Sequence, residues 1–186
     1  MRRNAQKRLG NISILLSLLG FSFIYYPIAK VYLFPFTHTE KQIQNTQFSI
    51  FIPSIKAFAL IVPNVDPFNR DEYLESLKKG VAHAKNSSFP DEGGTVFLFA
   101  HSSDVPWRMT RENTAFYKLN QVENGDDIIL RRNGKTYNYK VYDKKSVWPN
   151  EVNYLIKPQG NILILQTCTP VGTSLKRLLV FAKQTF

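Results

Sequence analysis

The sequence predicts a mainly β protein: a closed or nearly closed barrel of seven or eight strands with one or two short helices, preceded by a single N-terminal transmembrane helix. Three observations lead there. From residue 48 onward, short apolar runs recur between turn-forming residues, the pattern of successive strands. Two segments interrupt them with helical spacing. Ahead of them lies one apolar stretch, Leu9 to Ala29, whose 21 uncharged residues span roughly 30 Å as a helix, the thickness of a bilayer core.

The chain divides accordingly into a basic N-terminus at 1–8, a membrane-spanning helix at 9–29, a juxtamembrane linker at 30–47 and a folded domain at 48–186. Tyr25, Tyr26 and Tyr32 suit an interfacial belt. A cleaved signal peptide would share the basic and apolar pattern, but the best local cleavage site, Pro27-Ile28-Ala29, places proline where a small residue is needed. Arg2, Arg3, Lys7 and Arg8 before the span, against Lys30 just after it, orient the N-terminus to the cytoplasm and the domain to the outside. In the linker, Pro35 interrupts any helix and Thr37 to Gln47 is polar without apolar period.

Within the domain, strands are expected at Phe48–Ile52, Ala57–Val62, Thr95–Ala100, Asp127–Arg132, Thr136–Tyr142, Asn161–Thr167 and Leu175–Ala182. The clearest hairpin turns at Asn133-Gly134, since a type I′ turn needs positive φ at both central residues. A helix is expected from Asn69 to Lys79, with Tyr73, Leu74 and Leu77 at helical spacing and a stop at Gly80; Asn113 to Leu119 suggests a shorter one. So many strands in roughly 140 residues imply a sheet that closes on itself.

The net charge of +10 invites a nucleic-acid reading, but half of it flanks the apolar span. The domain's remaining excess shows no arginine-rich helix or stacked basic-aromatic motif, so no nucleic-acid partner is expected. One cysteine and three histidines exclude disulfide scaffolds and zinc cages. Asp71, Glu72, Asp91, Glu92, Asp126, Asp127 and Glu151 do not space as a calcium loop, and neither metal nor cofactor is expected.

Three residues carry chemical interest. Cys168 ends an apolar strand, an unpaired thiol in a domain placed on the oxidising side of a membrane; a small buried apolar residue is the competing reading. Arg177 shares a strand face with Leu175, Leu179 and Phe181, so its charge either lies at the strand's open end or is aimed at an anion. His101 follows the run Thr95 to Ala100, with His83 and His38 as rivals. Together, cysteine, histidine and arginine at strand ends supply a nucleophile, a proton carrier and an oxyanion stabiliser for thiol acyl transfer.

The segment Leu165-Gln-Thr-Cys168-Thr-Pro, with Arg177 nine residues on, resembles the signature of sortases, a TLxTC strand end followed by an arginine on the next strand. Phe48 to Ile55, Leu77 to His83, Phe97 to Ser103 and Gly125 to Ile128 are similar to further family segments in the family's order, over residues 48 to 183. Ile164 departs from the first Thr of the pattern, and Ala100 stands where Gly often precedes the histidine. The run Cys168 to Thr173 is similar to the class D type. The resemblance implies a sortase-type barrel and a membrane-anchored cysteine transpeptidase. Cys168 would attack an LPXTG-like sorting signal, His101 would serve as general acid and base, and Arg177 would hold the oxyanion or position the peptide. An amine on a cell-wall precursor or a pilin lysine would accept the acyl group. The alternatives are a cysteine peptidase working on the same peptides and a non-catalytic binding barrel.

Overall fold

The computed structural model describes residues 2–33, 48–102, 115–151 and 160–185. A first helix, α1 (Arg2–Leu33), takes in the apolar stretch and the basic residues before it. Its segment Gln6–Tyr26, with mean hydropathy 1.6, is long and apolar enough to cross a membrane. Its large apolar side chains from Leu9 to Tyr26 are exposed. The Ser13 and Ser17 hydroxyls donate back to the carbonyls of Leu9 and Ile14, satisfying polar groups within the helix itself. The remainder of the expected linker, with His38, lies outside the described residues.

Eight strands follow: β1 (Phe48–Ile52), β2 (Ala57–Val65), β3 (Val81–Ala84), β4 (Thr95–Phe99), β5 (Asp127–Arg132), β6 (Lys135–Val147), β7 (Ile162–Thr169) and β8 (Lys176–Thr185). They form a closed barrel in the order β1-β2-β3-β4-β7-β8-β6-β5, with β2/β3 and β4/β7 parallel and the other neighbours antiparallel. The barrel is therefore as expected. The Asn133-Gly134 turn has the positive φ values, 50° and 76°, that its sequence requires.

Strand β3 was not among the expected ones. At four residues it is too short to show a period, and all four are buried, so its side chains do not alternate in polarity. Strand β6 runs five residues past Tyr142 through Asp143-Lys-Lys-Ser-Val147, where pairing with β8 resumes after a bulge. Those charged residues obscure a strand whose backbone partner, not its own hydrophobicity, keeps it extended. The second helix is not an α-helix where it is described: residues 115–118 form turns and Leu119–Gln121 a single 3₁₀ turn. Residues 113 and 114 lie outside the described residues.

Helix α2 (Arg70–Lys79) conforms to its capping chemistry. The Asn69 side chain accepts from Glu72 N–H, acidic residues occupy the first turn, and Lys78 and Lys79 the last. Gly80 ends it, and no other residue fits there: a Cβ would lie 2.4 Å from the carbonyl oxygen of Leu60, at φ 153°.

Strand alternation sends side chains to two cores. Ile50, Ile61, Val81, Leu98, Leu130, Tyr139, Leu165 and Val180 fill the barrel. On the outer face, Ala82, Phe97, Phe99, Ile164, Leu179 and Phe181 pack with Leu77 of α2, and the half-buried Tyr73 joins them. Val96–Phe99 of β4 and Ile162–Leu165 of β7 are thus buried on both faces, which is why each stretch reads as a continuous apolar run.

Candidate functional site

The outer core decides where the reactive residues go. On β7, Ile162 and Ile164 face outward, and the period of two carries this face to Cys168. On β8, Leu179 and Phe181 face outward, and so does Arg177. Cys168 and Arg177 are direct partners in the β7/β8 ladder, and Arg177 Nη1 donates to Cys168 Sγ at 3.4 Å. The same nitrogen donates to the carbonyls of Ser174 (3.1 Å) and Lys176 (3.4 Å). The arginine is half-buried and directed at the sulfur. Strand β7 runs one residue past the cysteine, so the thiol is held by ladder pairing on the sheet.

His101 reaches the same place through the parallel pair β4/β7. Phe99 is level with Gln166, Ala100 N–H donates to the Gln166 carbonyl at 3.1 Å, and the buried Thr167 hydroxyl donates to the Ala100 carbonyl at 2.9 Å. Continuing that register by two residues sets His101 level with Cys168, on strands spaced about 4.8 Å apart. Strands β7 and β8 thus present Cys168 and Arg177 side by side, and His101, two residues past the end of the neighbouring β4, continues toward the same end of the sheet. Thr167 pins the ends of β4 and β7 together.

Sequence reasoning named those three and missed Tyr73. The ring of Tyr73 stacks on Phe99 with centroids 5.3 Å apart and planes 7° from parallel. It meets His101 edge-on, at 6.2 Å and 90°. Burial chiefly raises its pKa, with Cys168 adding to the rise and Arg177 opposing it, so the phenol lies within electrostatic reach of both. The available signal was its helical spacing to Leu77, which marks a core face and nothing more.

The rival His83 lies on the other side of the sheet. It pairs with Leu98, whose side chain points into the barrel, and it is fully buried against Phe48 and Phe89. Asn64 N–H donates to its Nδ1 at 3.4 Å, while Nε2 lies 3.1 Å from the Ser88 carbonyl and 3.0 Å from the Ser87 hydroxyl. A ring that accepts at Nδ1 and donates at Nε2 is neutral. Burial, the largest influence, lowers its pKa accordingly. The depressed value makes its contribution to stability complete above about pH 6.5 and lost as pH falls through the native value. The urea midpoint should therefore fall as the pH drops below about 6.5, and His83→Gln should flatten that fall. Parallel pH profiles for the two proteins would contradict this role.

Six of the seven carboxylates considered for metal binding are engaged locally. Glu72 accepts from Asp66 N–H, Glu92 from Phe89 N–H, Asp126 from Glu123 N–H and Glu151 from Trp148 N–H. Asp91 pairs with Arg132 and Asp127 with Lys140. Among the described residues, no three ligating side chains gather as a metal site would require.

Comparison with known proteins identifies the family of the fold. Sortase D of Bacillus subtilis (strain 168) is 29% identical over 137 residues, covering 72% of this chain. The chain spans 61% of that protein's length. The lid mutant of sortase A from Corynebacterium diphtheriae has a TM-score of 0.62 at 28% identity, over 76% of this chain and 70% of that one. Sortase C-1 from Actinomyces oris has the same TM-score at 30% identity, over 75% and 73%. The sortase-domain family model matches residues 50–185, from the first barrel strand to the last, and the chain belongs to the sortase family.

Proposed function

We propose that the protein is a membrane-anchored cysteine transpeptidase that cleaves an LPXTG-like sorting signal and passes the acyl group to an amine. The observation that carries this reading is the pairing of Cys168 with Arg177 on β7 and β8, with His101 two residues past the end of the adjacent strand β4. The Cys168 thiolate attacks the carbonyl carbon that follows Thr in the signal, and the carbonyl π electrons move to oxygen. Arg177 hydrogen-bonds that oxyanion or the peptide beside it. As the C–N bond breaks, His101 gives its proton to the departing amine, leaving a thioester. An incoming amine, from a cell-wall precursor or a pilin lysine, attacks the thioester; His101 takes its proton and the thiolate leaves. Kinship with sortase D of Bacillus subtilis and the Cys168 to Thr173 run support a class D-like assignment.

Helix α1 is the anchor in this reading, single-pass, with the N-terminus cytoplasmic and the barrel extracytoplasmic. Substrates with membrane-held tails and lipid-linked wall precursors would then reach the enzyme at the same surface. The full chain in detergent, given LPXTG-type peptides with and without triglycine, tests the proposal. Ligated product is the expected result. Cleavage indifferent to the amine would establish a peptidase instead, and no turnover across a peptide panel would leave a binding barrel.

Arg177→Lys retains the charge and loses the planar fork. It should lower kcat by about 10²- to 10³-fold, as loss of an oxyanion donor does. Wild-type kcat in that variant would remove Arg177 from the oxyanion role.

A further inference from the structure

We propose that Tyr73 of α2 is a positioning residue for the reaction, fixing the imidazole plane of His101 against the outer wall of the barrel. The inference rests on the functional reading above and adds to it a member from outside the strands. Helix α2 covers the outer wall of the sheet, and the two side chains it sends there differ in kind. Leu77 is fully buried among Phe97, Ile164 and their neighbours, as a core anchor is. Tyr73, one turn nearer the reactive end, is half-buried and touches both core and site. Its face lies flat on Phe99, the last residue of β4, and its ring stands perpendicular to His101 two residues later.

That arrangement has a mechanical consequence. His101 follows the end of β4, where ladder pairing no longer dictates how its ring turns. A perpendicular aromatic neighbour favours one ring orientation over others, because edge-to-face contact is lost when the imidazole rotates. Tyr73 is itself held against rotation by the stack on Phe99. The orientation of the proton carrier is thus referred to a rigid wall of the barrel.

The test compares Tyr73→Phe, Tyr73→Leu and Leu77→Ala in the full-length protein in detergent. Three readouts apply: the titration midpoint of the His101 imidazole by NMR, the pH profile of Cys168 alkylation by iodoacetamide, and kcat and KM separately. Tyr73→Leu should shift the His101 midpoint and the alkylation profile and lower kcat by about 10- to 100-fold with KM nearly unchanged, the scale of a misplaced catalytic group. Tyr73→Phe keeps the ring and should restore the His101 signal and most of kcat. Leu77→Ala loosens the same helix from the same wall and should leave the His101 midpoint in place. Two results would overturn the proposal: a Tyr73→Leu protein with wild-type His101 and Cys168 profiles, or a Leu77→Ala protein that reproduces the Tyr73→Leu shifts. The imidazole and thiol readouts require no peptide turnover. Failure of the transpeptidase reading would appear in the ligation assay and is thereby distinguished from failure of the Tyr73 role.

Discussion

Cys168→Ala should reduce turnover of an LPXTG-type peptide by about five orders of magnitude or more, the loss expected when a covalent nucleophile is removed. It is the only cysteine in the chain, and its partner across the ladder, Arg177, is a cation that cannot replace a thiolate. The fold should survive. Cys168 is half-buried near the end of β7, and trading a thiol for a methyl there leaves the ladder to β8 intact. A stability change within about 1 kcal/mol follows from such a small truncation. The measurement is steady-state ligation beside thermal unfolding of the same preparation. Residual activity at the wild-type level would require a different nucleophile and would end the thioester mechanism.

His101→Ala should cost about 10³- to 10⁴-fold in kcat, because in the proposed reaction one residue serves as acid in the first half-reaction and as base in the second. The instructive comparison is His83→Ala, which should show the reverse pattern. His83 is fully buried in the barrel with hydrogen bonds at both ring nitrogens, so its removal opens a cavity and strands the Asn64 N–H. A loss of about 2–4 kcal/mol in stability is expected, with kcat of the folded fraction changed severalfold at most. Unfolding midpoints and active-site titration of the two variants separate these cases. Equal kinetic losses per folded molecule would mean that the interior histidine also contributes to the reaction.

The two histidines also show how far sequence reasoning reaches. Both follow or occupy apolar runs, and both were legible as candidates. What distinguishes them is strand parity: Leu98 and Phe99 face opposite sides of one sheet, so His83, paired with Leu98, points inward, while His101 continues the outward face of Phe97 and Phe99. Parity in a strand buried on both faces leaves no trace in polarity. Arg177 was legible for the opposite reason, since a charge on a face shared with Leu179 and Phe181 breaks the pattern and demands a partner. Tyr73 was invisible as a site residue because an aromatic at helical spacing fits an ordinary core, and its contact with His101 spans two elements separated by a strand and a loop.

Seven of the eight strands, the hairpin at Asn133-Gly134, the cap and stop of the helix and the three candidate residues are legible in the sequence by itself. Each depends on interactions among residues close along the chain or on the chemistry of a single side chain. The closure of the barrel through β5 and β1, the parallel pairing that brings the end of β4 beside β7 and the approach of Tyr73 to His101 were decided only in the tertiary structure. These depend on register between strands far apart in sequence. Register is set by which faces can be buried together, a property of the assembled sheet and helix and not of any one segment.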